Sequence, residues 1–153
     1  MRHLLLLAAL IATPTFAQDQ PDYLDDRSTA EAVIRSYYNA IDRKEYARAF
    51  SYFGGATVPE FGKWAEGYSD TASVAVSFGE MAQEGAAGSI YYTLPVVLDV
   101  NRTDGTTVKF AGCYTLRLVQ PANQVQPPFE GIHIEDAKLH EAKDAGFAPA
   151  KCD

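Results

Sequence analysis

Hydrophobic residues change their spacing once along this chain, near residue 70, and the change divides a helical half from a strand half. In the first half Ala30, Val33, Ile34, Tyr37, Tyr38 and Ile41 recur at i, i+3, i+4 and i+7, one face of an amphipathic helix. Ser-Thr-Ala-Glu at 28–31 reads as its capping box, with Ser28 accepting from the third helical amide and Glu31 reaching back. This helix is expected to run to about Arg43. Tyr46, Ala49, Phe50 and Phe53 stripe a second, shorter helix that Gly54-Gly55 stops. A third opens near Pro59, a residue suited to a first helical turn, and sets Phe61, Trp64, Ala65 and Tyr68 on one face.

Past Ser69 the period becomes two. Val74, Val76 and Phe78 alternate with Ser73, Ala75 and Ser77 in a first strand. Ile90, Tyr92, Leu94, Val96, Leu98 and Val100 share one side of a long second strand, in which Pro95 implies an edge position or a bulge. Asp104-Gly105 signals a two-residue hairpin. The return strand carries Val108, Phe110, Gly112, Tyr114, Leu116 and Leu118 on one face, with Gly112 marking a bend or bulge. After the loop "QPANQVQPPF", the stretch "GIHIEDAKL" makes a shorter last strand. Three helices ahead of four antiparallel strands in meander define an α+β layer architecture.

The start of the chain is set apart from this pattern. Arg2 and His3 precede an apolar run over residues 4–12, and Thr15 and Ala17 occupy the −3 and −1 positions of a cut before Gln18. That is the arrangement of a secretory signal peptide over residues 1–17, too short in its apolar run to span a bilayer. No cysteine follows the cut, so no lipid anchor is indicated, and the mature protein is expected to be periplasmic or secreted. Residues 18–27 are acidic and aperiodic and read as a mobile lead-in, residues 28–143 as the folded domain, and 144–153 as a tail. Without Arg2 the chain has 12 basic residues against 20 acidic, a net charge of −8, which disfavours nucleic acid and anionic lipid as partners. Two cysteines in an oxidising compartment, Cys113 and Cys152, are expected to form one disulfide that staples the tail to the third strand.

A long, twisted sheet in this order can curl round the helices as a half-open cone. The first-helix pattern "AEAVIRSYYNAIDRKEYARAFSYF" and the closing hairpin "FAGCYTLRL" resemble the NTF2-like superfamily, a cystatin-like cone shared by ketosteroid isomerases, SnoaL-type cyclases and many binding proteins. The resemblance covers about residues 28–140 and looks most like small exported bacterial members. It implies three N-terminal helices packed in a curved, four-stranded antiparallel sheet, a pocket at the wide mouth, and an outer sheet face available for a homodimer. It is nearly silent on activity, because one fold hosts many functions.

Six rings fall within residues 37–53, and their helical spacing makes them core first, with tyrosine hydroxyls that need partners at a polar rim. Trp64 and Tyr68 are stronger ligand candidates, since the resemblance places their helix at the cone mouth; Tyr38, Tyr92 and Tyr114 complete the candidate pocket. The resembled isomerases use a strand carboxylate as base. Asp99 is the acid inside a long strand here, but it alternates to the face opposite Tyr92, Leu94 and Leu98 and reads as solvated. His133 and Glu135, two apart in a strand, share a face without a convincing third metal ligand and are expected on an exposed outer surface. Arg117 is expected outside as well, an anion anchor only if the strand curves inward. There is no G-x-S-x-G and no phosphate-cradling loop, and no cofactor or metal is called for. The expected function is an exported module binding a small apolar or aromatic molecule or a partner protein. The alternative is an isomerase- or dehydratase-type enzyme using a pocket carboxylate and tyrosines.

Overall fold

The computed structural model describes residues 20–55, 59–142 and 152. Residues 1–17, expected to be a signal peptide, and, apart from Cys152, the expected tail 144–153 lie outside the described residues. The chain is α+β: helices α1 (Ala30–Asp42), α2 (Tyr46–Phe50) and α3 (Phe61–Glu66) precede strands β1 (Thr71–Phe78), β2 (Ala82–Ala86), β3 (Ser89–Arg102), β4 (Thr107–Val119) and β5 (His133–Glu141). The sheet is antiparallel with order β1-β3-β4-β5, and β2 lies beside β1 along the same edge of β3.

The sheet therefore has five strands where the alternation predicts four. Strand β1 pairs with β3 as far as Phe78↔Val96, and β2 resumes the pairing at Ala82↔Thr93, so residues 79–81 bulge opposite 94–95. "AQEGA" is exposed throughout and has no apolar alternation to announce it; it pairs because it continues β1 along a long partner. The same bulge answers the question raised by Pro95, which lies in an interior strand. A residue's N and O point to the same neighbour in an antiparallel ladder. The Pro95 carbonyl accepts from Gly79 N–H at 2.9 Å, so its missing N–H faces the interruption between β1 and β2.

Both hairpin turns follow the right-handed twist of their strands. Ala87 and Gly88 hold φ of 48° and 75° between the paired Ala86 and Ser89, a two-residue turn carried partly by an alanine. The Asp104-Gly105 hairpin is one residue longer than its signal predicts. Gly105 N–H returns to the Arg102 carbonyl and Arg102 N–H pairs with Thr106 O, enclosing residues 103–105, while the Asp104 carboxylate accepts from Thr106 N–H at 2.9 Å.

Helix α1 is capped one residue later than the capping box suggests: Thr29 Oγ1 accepts from Ala32 N–H at 3.1 Å, and Ser28 N–H goes instead to Asp26 Oδ1. Its apolar face, with Val33, Ile34 and Ile41 fully buried, shares one core with Leu94, Val96 and Leu98 of β3 and with Tyr114 and Leu116 of β4. Each such side chain contributes about 1.5–3 kcal/mol through burial. Helix α2 is shorter than its stripe, and the turn after it buries Tyr52, which that stripe omits. The chain then lies along β5, with Ile134 N–H donating to Tyr52 O at 2.7 Å and Gly54 N–H to Ile134 O at 3.1 Å.

Residues 20–27, expected to be a mobile lead-in, form neither helix nor strand yet are bonded along the outside of α1. Asp26 N–H donates to Ser36 Oγ (2.8 Å), Leu24 N–H to Asn39 Oδ1 (3.0 Å), and Arg48 Nη1 reaches the Leu24 carbonyl (2.7 Å). Tyr52 Oη donates to Asp25 Oδ1 at 2.7 Å, which holds the Asp25 carboxyl below the usual range, and Arg27 stacks 4.1 Å over the Tyr52 ring.

Cys113 and Cys152 are joined in a disulfide. Cys113 alternates with the core residues Gly112 and Tyr114, so residue 152 is fixed on the sheet face away from α1, beside the buried pair Val97 and Ala111. The bond closes a loop with a sequence separation of 39, and its reduction is expected to cost about 4 kcal/mol of unfolding free energy in urea. Gly112 is fixed by close approach: a Cβ there would fall inside the carbonyl oxygen of Lys138 on β5. Gly112→Ala should therefore destabilise the fold by about 3 kcal/mol or more, whereas Gly131→Ala, where a Cβ meets nothing within 4 Å, should change it by less than about 0.5 kcal/mol.

Candidate functional site

Consecutive helical residues point about 100° apart, so Tyr37 and Tyr38 cannot face the same neighbour. Tyr37 turns toward α3, where its hydroxyl meets Tyr68 Oη at 2.6 Å; Tyr38 turns toward the sheet and meets Tyr114 Oη at 2.6 Å. Burial raises all four phenols above their ordinary pKa, so none ionises near neutral pH. In each pair one hydroxyl donates and the other accepts, which leaves one O–H hydrogen per pair available to a further acceptor. Around this ladder the rings pack edge to face, Tyr37 against Phe53 at 89° and Phe53 against Trp64 at 81°.

Two clefts open on either side of Tyr68 and Leu139. The first, about 310 Å³, lies between the turn after α3 and one end of the sheet. Its walls are Val74, Leu98, Val100, Phe110 and Leu139, with Tyr38 and Tyr68 as its phenols. Asp70 and Arg102 also line it and pair at 3.5 Å with partly exposed side chains. The second, about 260 Å³, lies between α3 and β5 and is bounded by Tyr37, Phe53, Trp64, Tyr68 and Tyr114, with Glu135 and Asp136 from β5.

Of the five rings proposed as a pocket from sequence, four converge here: Tyr38 lines the first cleft, Trp64 and Tyr114 the second, and Tyr68 both. Tyr92 stands apart near the other end of β3, opposite Gln83 and Leu116. Asp99 alternates to the face away from α1 and pairs with Lys109 at 2.6 Å, its side chain 40% exposed, outside both clefts. Arg117 pairs with Glu135 at 3.3 Å and donates to Ser89 Oγ at 3.0 Å, lying over Tyr91.

His133 departs from expectation. It is buried, not exposed, because the segment after α2 lies over it along the edge of β5. Gly54 packs so close that a Cβ would sit 2.6 Å from His133 Cδ2. Nδ1 lies 3.2 Å from the Gly131 carbonyl, and among the described residues no hydrogen-bond partner reaches the buried Nε2. Glu135 is the extra residue of a bulge opposite Thr115/Leu116 and pairs with Arg117, which stands opposite His133 in the ladder. Among the described residues no group of three or more His, Cys, Asp or Glu side chains could hold a metal, and no helix is long and apolar enough to cross a membrane.

Sequence reasoning missed three contributors. Phe53 reads as the end of a packing stripe but walls the second cleft; Asp70 and Arg102 read as turn and hairpin residues and meet only through the β1–β3 register Thr71↔Arg102. The third is Asp42, the last residue of α1, which accepts Val74 N–H at 2.8 Å and whose carboxyl burial pushes up to about 6, against the pull of that bond and of Lys44. Lys44, left-handed at φ 60°, donates to the carbonyls of Thr71 and Ala72. Asp42 ties helix to sheet in a separate cleft with Lys44, Ser73 and Thr103. Compared with known proteins, the chain matches no protein-family model, and no curated protein matches it.

Because the folded pKa of Asp42 exceeds its ordinary 3.8, the fold favours the neutral acid. Its contribution is complete below pH 3.8 and is lost as pH rises through about 6. The shift corresponds to about 3 kcal/mol, reduced to about 1 kcal/mol by partial exposure. Asp42→Asn keeps an oxygen for Val74 N–H and should stabilise the protein by about 1 kcal/mol at pH 7.5, with the gain vanishing near pH 4 in urea unfolding. A gain independent of pH would remove this account.

Proposed function

We propose that this protein is an exported small-ligand-binding module of the NTF2-like cone type, and that the 310 Å³ cleft at the α3 end of the sheet is its ligand site. The observation that carries the reading is the make-up of that cleft. Five apolar side chains from β1, β3, β4 and β5 surround it, phenols bring hydroxyl groups to it, and one ion pair contributes charge. An apolar body with a single hydrogen-bond acceptor suits such walls: the body replaces water against Val100 and Phe110, and the acceptor takes a hydroxyl hydrogen the tyrosine pairs leave over. Helices ahead of an antiparallel sheet, with rings of α1 and α3 between them, are the arrangement a cone requires, and the disulfide accords with an oxidising compartment.

Binding is favoured over proton-transfer catalysis by where the acids lie. A base for enolisation must stand within hydrogen-bond reach of a ligand atom under the apolar walls. Asp99 is on the other face of the sheet, Asp42 is engaged with Val74 in a separate cleft, and Asp70 is exposed beside Arg102.

Native mass spectrometry of the protein purified from its own cells is expected to retain an adduct of a few hundred daltons that denaturation releases. Val100→Phe, which fills the cleft from a partly buried position on β3, is expected to abolish the adduct. A clean apo mass, or an adduct indifferent to Val100→Phe, would remove this cleft as the ligand site.

A further inference from the structure

We propose that the second cleft, between α3 and β5, is a site for a small organic cation of the quaternary or alkylammonium class. Its walls are π systems: Tyr37, Phe53, Trp64, Tyr68 and Tyr114 bound about 260 Å³. Near-perpendicular pairs, Tyr37–Phe53 at 89°, Tyr37–Tyr68 at 81° and Phe53–Trp64 at 81°, turn successive ring planes in different directions. The cleft is thereby bounded by rings of several orientations rather than by one parallel stack. The faces carry the negative end of the ring quadrupole, which attracts a cation and offers an uncharged guest only contact area.

The charge at this cleft has the matching sign. Among the described residues, the lining includes two acids, Glu135 and Asp136, and no Lys, Arg or His. Arg117 neutralises Glu135 through the 3.3 Å pair, while among the described residues no basic side chain pairs with Asp136. The first cleft holds Arg102, and those beside the lead-in hold Arg27 or Lys44. Aromatic walls and uncompensated negative charge thus coincide at the α3–β5 cleft, in a chain whose overall charge of −7 attracts cations from solution. At 260 Å³ the space is below that of drug-sized sites, which selects a compact ion rather than a peptide side.

This inference stands independently of a ligand in the neighbouring cleft, and one residue makes it directly testable. Trp64 is the chain's only tryptophan and lines this cleft and not the first, so its emission is a direct probe of occupancy here. Titration of the disulfide-bonded protein with choline chloride, against sodium chloride at equal ionic strength, is expected to change Trp64 emission saturably. The uncharged carbon isostere 3,3-dimethyl-1-butanol is expected to need about tenfold higher concentration or more. Phe53→Leu, which keeps bulk and removes a ring, should weaken choline about threefold. Asp136→Asn, an exposed change that leaves the core untouched, should weaken choline and leave the isostere unaffected. Val100→Phe should leave the choline response intact. Equal potency of the two probes, no saturable response to choline up to about 100 mM, or loss of the response in Val100→Phe would each overturn the proposal.

Discussion

Four phenol groups buried beside one another tie α1 to its surroundings by directional contacts, Tyr37 to Tyr68 in the turn after α3 and Tyr38 to Tyr114 of the sheet. A buried hydroxyl left without a partner costs about 1–3 kcal/mol, so each ring fixes the place of the other. Tyr68 belongs to the turn after a six-residue helix with no buried residue of its own; its bond to Tyr37 sets where α3 stands, and α3 in turn separates the two clefts. The ring cluster is at once core and wall. Aliphatic packing of the same volume could seat the helix, but it would offer neither hydroxyl hydrogens nor π faces to a guest.

The layers and their order were legible because burial imposes its period on sequence. The helix of Val33, Ile34 and Ile41 and the strands of Leu94, Val96, Leu98, Tyr114 and Leu116 each bury one face, and each is written in the chain with the period of its element. What was not legible was held by other means. Strand β2 buries nothing and exists through backbone pairing to a longer neighbour. The segment at 20–27 has no apolar period because its backbone is captured by polar side chains of the helices, Ser36, Asn39 and Arg48, each of which would ordinarily be read as surface. His133 is buried by a segment some eighty residues earlier, a relation no local pattern carries.

The candidate site was legible in part for the same reason. Tyr38, Trp64, Tyr68 and Tyr114 were visible as rings on buried faces, and their convergence follows from the fold. The charged members were not, since Asp70 and Arg102, or Glu135 and Arg117, become neighbours only once strand register and a bulge are set. Asp42 was hidden differently: a carboxylate at a helix end looks solvated until the β1 amide that claims it is in place.

The attachment of residue 152 to Cys113 also carries an order of events. Residue 152 is made well after its partner, which lies in an interior strand between β3 and β5. The sheet can pair before the staple closes, because Cys113 faces away from the α1 core and its thiol stays clear of the packing that β4 completes. At synthesis rates of about 5–20 residues per second, a sequence separation of 39 sets the two cysteines several seconds apart in emergence. Through that interval Cys113 is a lone thiol on a growing chain, open to exchange with any small disulfide it meets. A chain without the Cys113–Cys152 bond would carry two thiol hydrogens more and be distinguishable by its mass alone.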